Sequence, residues 1–218
     1  MMFLLLKLKE IVMAIKQIKV GFDNFSYIIL CEKTGKASIV DPSYNPSELL
    51  EFILSNNLKL EYIIATHYHG DHTSGIQKIK NSISSSKIVA SELDSPKLGI
   101  KVDIKVSDHN RLKLGDIDLD FILTPGHTPG GICIIVDDKA IITGDTLFIG
   151  DCGRTDLPGG NLTQMFKTLK EKIMPLPDYL IVYPGHDYGD KPFDTLGNQK
   201  RTNKTLLAKT LDEFSKIP

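Results

Sequence analysis

Four apolar runs in this chain each end in a short loop that carries histidine or aspartate. Tyr62-Ile63-Ile64-Ala65 leads into Thr66-His67-Tyr68-His69-Gly70-Asp71-His72. Leu119–Leu123 leads into Thr124-Pro125-Gly126-His127, Ala140–Ile142 into Thr143-Gly144-Asp145, and Leu180–Tyr183 into Pro184-Gly185-His186. Runs of apolar and β-branched residues that stop at Gly or Pro read as strands. Strands hold their ends rigidly, and the loops beyond them are free to carry function. The pattern therefore predicts a sheet protein whose strand ends converge on one cleft. Five of the six histidines stand in these loops, with three imidazoles and a carboxylate between His67 and His72. That density of nitrogen and oxygen donors suits zinc, iron or manganese.

Composition narrows the class. A chain of 218 residues buries a substantial core, although length alone leaves one or two domains open. A formal net charge of −1, with scattered lysines, gives no electrostatic case for nucleic acid or an anionic membrane. Cys31, Cys133 and Cys152 form no C-x-x-C pair, which argues against a disulfide framework and fits a reducing, cytoplasmic compartment. Cys31 and Cys133 lie in apolar runs and read as core, whereas Cys152 sits in a Gly-rich loop within reach of the site. The apolar stretch Met2–Leu6 is too short for a secretory signal, and no run of 18 apolar residues occurs. Residues 1–13 read as an N-terminal extension, with Met13 an internal start, and residues 14–218 as one folded domain.

Short strands alternate with helices along the rest of the chain. Ile15–Val20, Tyr27–Leu30 and Ala37–Val40 form an opening meander. A helix starts at Asn45 and Pro46, with Leu49, Leu50, Phe52, Ile53 and Leu54 as its apolar face. A second is expected from Thr73 through Ile83, a third over Leu162–Ile173, and a last one between Thr195 and Phe214. Lys87–Ala90, Val102–Val106 and Leu112–Leu123 read as strands, the last broken at Gly115-Asp116; Ile132–Val136 and Ala140–Ile142 read as a hairpin. This mixture implies an α/β (α+β) protein with sheet layers covered by helices.

His67-Tyr68-His69-Gly70-Asp71-His72, Gly126-His127-Thr128-Pro129-Gly130, Gly144-Asp145 and Gly185-His186, in this order, resemble the metallo-β-lactamase fold superfamily. Gly144–Phe148, Cys152-Gly153-Arg154 and Asp23–Tyr27 resemble its glyoxalase II and persulfide dioxygenase branch. The resemblance spans roughly residues 21 to 206. It implies a four-layer αββα sandwich with a short C-terminal helix and a metal site at one edge of the two sheets. It further implies His67, His69 and His127 at a first metal, Asp71, His72 and His186 at a second, and Asp145 bridging them. Two divalent ions, zinc foremost with iron or manganese as alternatives, would lower the pKa of a shared water toward ~7 and give a metal-bound hydroxide able to attack a thioester carbonyl. Asp71 and Asp145 are the expected catalytic carboxylates, with Asp71 orienting the nucleophile. No G-x-S-x-G turn, P-loop or dinucleotide fingerprint offers a rival chemistry. His109 reads as a solvated loop residue and Asp187 as a supporting or surface group.

Arg154 and Tyr188 occupy positions that in glyoxalase II-like enzymes help hold the thiol carrier, and a guanidinium grips a carboxylate through both oxygens. The plainer reading of Arg154 is an ion pair with Asp151 or Asp156. The segment after His186 is short beside the basic helical region of full-length hydrolases, which leaves glutathione open as the carrier. The expected function is hydrolysis of a small acyl-thiol thioester, with a small-molecule partner and the oligomeric state, a homodimer included, left open. The alternative is an iron-dependent dioxygenase of a low-molecular-weight persulfide, with a single iron on His67, His127 and Asp145. A metal-binding scaffold without activity is disfavoured because all seven ligand positions are filled.

Overall fold

The structure, a computed structural model, describes residues 13–217. Of the extension expected over residues 1–13, residues 1–12 lie outside the described residues, and Met13 belongs instead to the first strand.

Two six-stranded sheets face one another. The first holds β1 (Met13–Val20), β2 (Asn24–Cys31), β3 (Lys36–Val40), β4 (Lys59–Ile64), β5 (Lys87–Ser91) and β6 (Ile104–Val106), side by side in chain order. The second holds β7 (Arg111–Leu114), β8 (Ile117–Leu123), β9 (Ile132–Val136), β10 (Ala140–Gly144), β11 (Ile181–Pro184) and β12 (Asp194–Thr195), again neighbour to neighbour. Helices α1 (Ser47–Ser55), α2 (Gly70–Thr73) and α3 (Ile76–Ser82) fall between strands of the first sheet. Helices α4 (Leu162–Lys167), α5 (Leu196–Thr202), α6 (Lys204–Leu207) and α7 (Leu211–Ser215) belong to the second half of the chain.

The two-residue period of the strands explains the layering, since alternate side chains point to opposite faces. On β2, Phe25, Tyr27, Ile29 and Cys31 point into the core between the sheets, while Ile28 packs with Leu49, Ile53, Ile76 and Ile79 of α1 and α3. On β8 and β9, Phe121, Ile132 and Ile134 face the same central core, while Ile122 and Cys133 pack outward with Met165, Leu169 and Phe214. The result is the four-layer αββα sandwich. Phe121 is fully buried, and its truncation to alanine removes on the order of 3–5 kcal/mol. Among the described residues no helix is long and apolar enough to cross a membrane.

Four helices depart from the sequence expectation. The first begins one residue late, at Ser47, and Asn45 Oδ1 accepts from the Ser47 hydroxyl at 2.7 Å rather than capping a helix that includes Pro46; Leu54 turns to solvent. The second starts earlier, at Gly70, and breaks after Thr73 because the Gly75 N–H is drawn to Pro42 O at 2.8 Å. The third runs as α4 and then widens into a π-turn over Thr168–Ile173. The last is three short helices rather than one. Asn203, fully buried, donates to the Phe148 and Asp151 carbonyls at 3.1 and 3.0 Å and caps α6 through Thr205 N at 2.9 Å. Its extended backbone stops α5.

The strand ends meet where the two sheets are stitched together. Ile132 N donates to Thr66 O at 2.9 Å, Phe25 N to Gly185 O at 2.8 Å, and Asp187 N to Asp23 O at 2.7 Å. Three of the four histidine- or aspartate-bearing loops take part in these crossings directly or through a neighbour.

Candidate metal centre

All seven expected ligand side chains come together at this edge. His67, His69 and His127 place one donor atom each within 4.8 Å of one another, and so do Asp71, His72 and His186. Asp145 lies between the two groups. Its Oδ2 is 3.4 Å from His127 Nε2 and 3.4 Å from His186 Nε2, and its Oδ1 is 3.3 Å from His72 Nε2. His67, His72, His127, Asp145 and His186 are buried, whereas His69 and Asp71 are half-exposed at the mouth.

Hydrogen bonds on the far side of each ring decide which nitrogen faces inward. Asp41, buried at the end of β3, accepts from Thr66 N and Thr66 Oγ1 at 2.7 and 2.6 Å and from His72 Nδ1 at 3.0 Å. With its proton given to Asp41, the Thr66 hydroxyl accepts from His67 Nδ1 at 3.1 Å. His127 Nδ1 donates to Arg154 O at 2.7 Å, and His186 Nδ1 donates to Asp23 Oδ1 at 3.2 Å. In all four rings Nδ1 carries a proton, so Nε2 is the atom that points into the centre. Outer hydrogen bonds of this kind fix the tautomer of metal-binding imidazoles.

The convergence of lone pairs is the observation that a cation fits. His127 Nε2 faces His69 Nδ1 at 2.9 Å, and His72 Nε2 faces His186 Nε2 at 3.1 Å. His67 Nε2 and Asp145 Oδ1 are buried without a hydrogen-bond partner. Buried polar atoms without partners are costly, and facing lone pairs repel. A divalent cation in each group satisfies both. Burial, followed by the neighbouring imidazoles, pushes His67 well below the usual histidine range, which favours the neutral form a metal needs. Burial opposes charge on His72 as well, but Asp145 and Asp41 outweigh it and push that ring up to about 9, so a cation bound there displaces the Nε2 proton. Burial likewise opposes the Asp145 carboxylate, yet the surrounding imidazoles hold it well below the usual range.

Close backbone approach makes this density possible. A Cβ on Gly185 would collide with Asp145 Oδ1 and stand 3.0 Å from the Gly144 carbonyl group. Only glycine admits the β11 end this near to the Asp145 carboxylate.

The centre opens into a cleft of about 440 Å³. Phe148, Cys152, Arg154, Leu157 and Tyr188 line it together with the ligand-type residues. Tyr188 stacks on His186 at 4.7 Å with an interplanar angle of 7°, and is 56% exposed. Arg154 grips Asp156, not Asp151, through Nε and Nη2, both at 2.7 Å; Asp151 pairs with Lys204 at 2.9 Å. Burial, with Asp151 beside it, pushes the Cys152 thiol up to about 12, so it stays protonated. His109 is exposed in its turn, 3.6 Å from Asp108, and Asp187 pairs with Lys19 at 2.7 Å; neither joins the centre.

The sequence pattern does not single out Asp41, and it includes Asp23 and Asn24 only in the Asp23–Tyr27 resemblance, with no role at the site. Asp41 follows an apolar run, Ala37–Val40, as the ligand loops do, and that spacing is the signal that would have found it. Asn24 Nδ2 donates to Asp71 Oδ2 at 3.1 Å and lies at the end of the β1–β2 turn.

A profile of the Metallo-beta-lactamase superfamily matches residues 21–186. The chain is 30% identical over 196 residues to the mitochondrial persulfide dioxygenase ETHE1 of Homo sapiens, covering 89% of this chain and 75% of that protein. It is 36% identical over 172 residues to the cytoplasmic hydroxyacylglutathione hydrolase of Arabidopsis thaliana, covering 76% of this chain and 64% of that protein. It therefore spans less than two thirds of the hydrolase. The crystal structure of ETHE1 from Myxococcus xanthus superposes with a TM-score of 0.84 at 26% identity, over 94% of this chain and 92% of that one.

Proposed function

This chain belongs to the metallo-β-lactamase superfamily, and we propose that it is a binuclear metal-dependent hydrolase of the glyoxalase II type, cleaving a small acyl-thiol thioester. The observation that carries this reading is the completeness of the second donor set. Asp71 Oδ2 lies 3.5 Å from both His72 Nε2 and His186 Nε2, and Asp145 reaches both sets. His67, His69 and His127 would hold one ion, Asp71, His72 and His186 the other, with Asp145 shared. A pair of divalent ions, zinc foremost with iron or manganese as alternatives, would supply Lewis acidity and a water of lowered pKa.

The protein's own groups do the positioning. Asp71 lines the cleft, its Oδ2 steadied by Asn24, and its other carboxylate oxygen would orient the attacking water through a hydrogen bond. Asp41, Asp23 and the Arg154 carbonyl keep the imidazoles in one tautomer, so no ring has to turn during turnover. Leu157 and Phe148 give the cleft an apolar wall that limits bulk water around the acyl group. Arg154 and Tyr188 stand at the rim, where they would hold the thiol carrier. Arg154 must share itself with Asp156 or leave it when an anionic carrier docks. The carrier is a low-molecular-weight thiol. The free cysteines, Cys31, Cys133 and Cys152, support a reducing, cytoplasmic setting.

A second reading is an iron-dependent persulfide dioxygenase, using His67, His127 and Asp145. It is favoured by coverage, because the human dioxygenase aligns over 89% of this chain and the plant hydrolase over 76%. Parallel assays on protein purified without added metal separate the two. The hydrolase reading expects thioester cleavage that proceeds without oxygen. Oxygen uptake with a low-molecular-weight persulfide, and no thioester cleavage, overturns it in favour of the dioxygenase.

A further inference from the structure

One buried carboxylate outside the centre holds one of its loops against another. Asp94 is 1% exposed and lies in the turn after β5, at the start of the short helical turn Ser95–Lys97. Its Oδ2 accepts from Thr128 Oγ1 at 2.7 Å and its Oδ1 accepts from Gly130 N at 2.8 Å. The Tyr68 backbone N–H lies on the same side and favours the charged carboxylate. Thr128 follows His127 in the chain, and Tyr68 stands between His67 and His69. Two donors fix the His127 loop on this carboxylate, and β5, which leads into it, pairs with β4 up to the entry of the His67 loop, where Ala65 N donates to Val89 O at 2.9 Å. The fit is close: a Cβ on Gly130 would stand 2.6 Å from both Asp94 N and Asp94 Oδ1. Asp94 is itself fixed, its N–H donating to Ser91 Oγ at 3.1 Å at the end of β5. The sheet therefore sets the position of the carboxylate, and the carboxylate sets the His127 loop.

We propose that Asp94 is the positioning residue of the first metal site, holding the His127 loop against the His67–His69 segment so that the three imidazole nitrogens meet at one point. The proposal rests on the metal-centre reading above. Asp41 plays the corresponding part through His72 and Thr66, but reaches its ring directly. Asp94 touches no imidazole and acts only through backbone and the Thr128 hydroxyl. Asp94→Asn keeps the shape but turns one oxygen into an N–H donor, which then faces a donor. Partners of this outer kind typically change metal affinity by about 10- to 100-fold.

The test is a cobalt(II) titration of the metal-free full chain, followed by its absorption spectrum. His186→Ala weakens the second set and so identifies the phase that belongs to the first. In Asp94→Asn the first-site phase is expected to weaken about 10- to 100-fold while the second-site phase stays at its wild-type constant. Thr128→Val should weaken the same phase to a smaller degree, and Thr128→Ser, which keeps the hydroxyl, should restore it. The Thr128 pair carries the test if Asp94→Asn does not fold. Unchanged first-site affinity in Asp94→Asn overturns the proposal. Equal weakening of both phases, with a lower melting temperature of the metal-free chain, also overturns it, since that is the mark of a general structural role. A wild-type chain that binds no cobalt overturns the metal-centre reading itself, which is distinguishable from either result.

Discussion

His72 Nδ1 lies 3.0 Å from the Asp41 carboxylate, and the two side chains are 0% and 1% exposed. Asp41 also holds the Thr66 backbone and hydroxyl, so one carboxylate fixes the tautomer of His72 and the entry of the His67 loop. Removing one member of such a buried pair strands the others. Asp41→Ala is expected to destabilise the metal-free chain by about 3 kcal/mol or more in chemical denaturation. Metal affinity should fall roughly 10- to 100-fold in a chelator competition. Wild-type metal affinity in that variant would show that His72 needs no orienting partner.

Gly185→Ala places a methyl group against Asp145 Oδ1 and the Gly144 carbonyl. Overpacking of this kind costs about 1–3 kcal/mol when the neighbour must give way. The neighbour that can give is the Asp145 side chain, because Gly185 itself is anchored through Gly144 O and Phe25 N, both at 2.8 Å. Activity should therefore drop at least about tenfold, as expected for ~1.4 kcal/mol lost at Asp145. Circular dichroism should keep its wild-type shape. Full activity with full metal content would mean that the site tolerates a displaced Asp145.

The legible part of this molecule was local. His67, His69, Asp71, His72, His127, Asp145 and His186 each sit beside an apolar run and a Gly, Pro or Thr stop, so strand, loop and ligand could be read together from a few residues. The four layers were legible only through the resemblance that these loops carry, together with the mixture of short strands and helices. Asp94 was not legible, because Ser91-Glu92-Leu93-Asp94-Ser95 looks like any polar turn. Its burial is a fact about Thr128 and Gly130, some 35 residues away, which approach it only in the folded sheet pair. The C-terminal region failed for a related reason. Its helical pattern is continuous in sequence, but Asn203 is claimed by the Phe148 and Asp151 carbonyls, and tertiary hydrogen bonds override local propensity.

Arg154→Ala tests the carrier. The guanidinium is exposed at the rim and paired with Asp156, so its loss leaves the metal donors untouched. KM for a thioester with an anionic carrier is expected to rise on the order of tenfold, with kcat little changed, as for loss of a charged hydrogen bond. A small uncharged thioester should show no change. Equal losses on both substrates would assign Arg154 to support of its own loop, and no loss on either would place the carrier elsewhere.

The metal content of the chain purified without added metal, measured beside that of Asp145→Ala, bears most directly on the binuclear account. Among the described residues Asp145 is the carboxylate that lies 3.4 Å from nitrogens of both donor sets, through His127 on one side and His186 on the other. The account predicts about two divalent ions per wild-type chain, together with thioester cleavage, and loss of at least one ion and most activity in Asp145→Ala. One iron per wild-type chain, or two ions retained in Asp145→Ala, would contradict it.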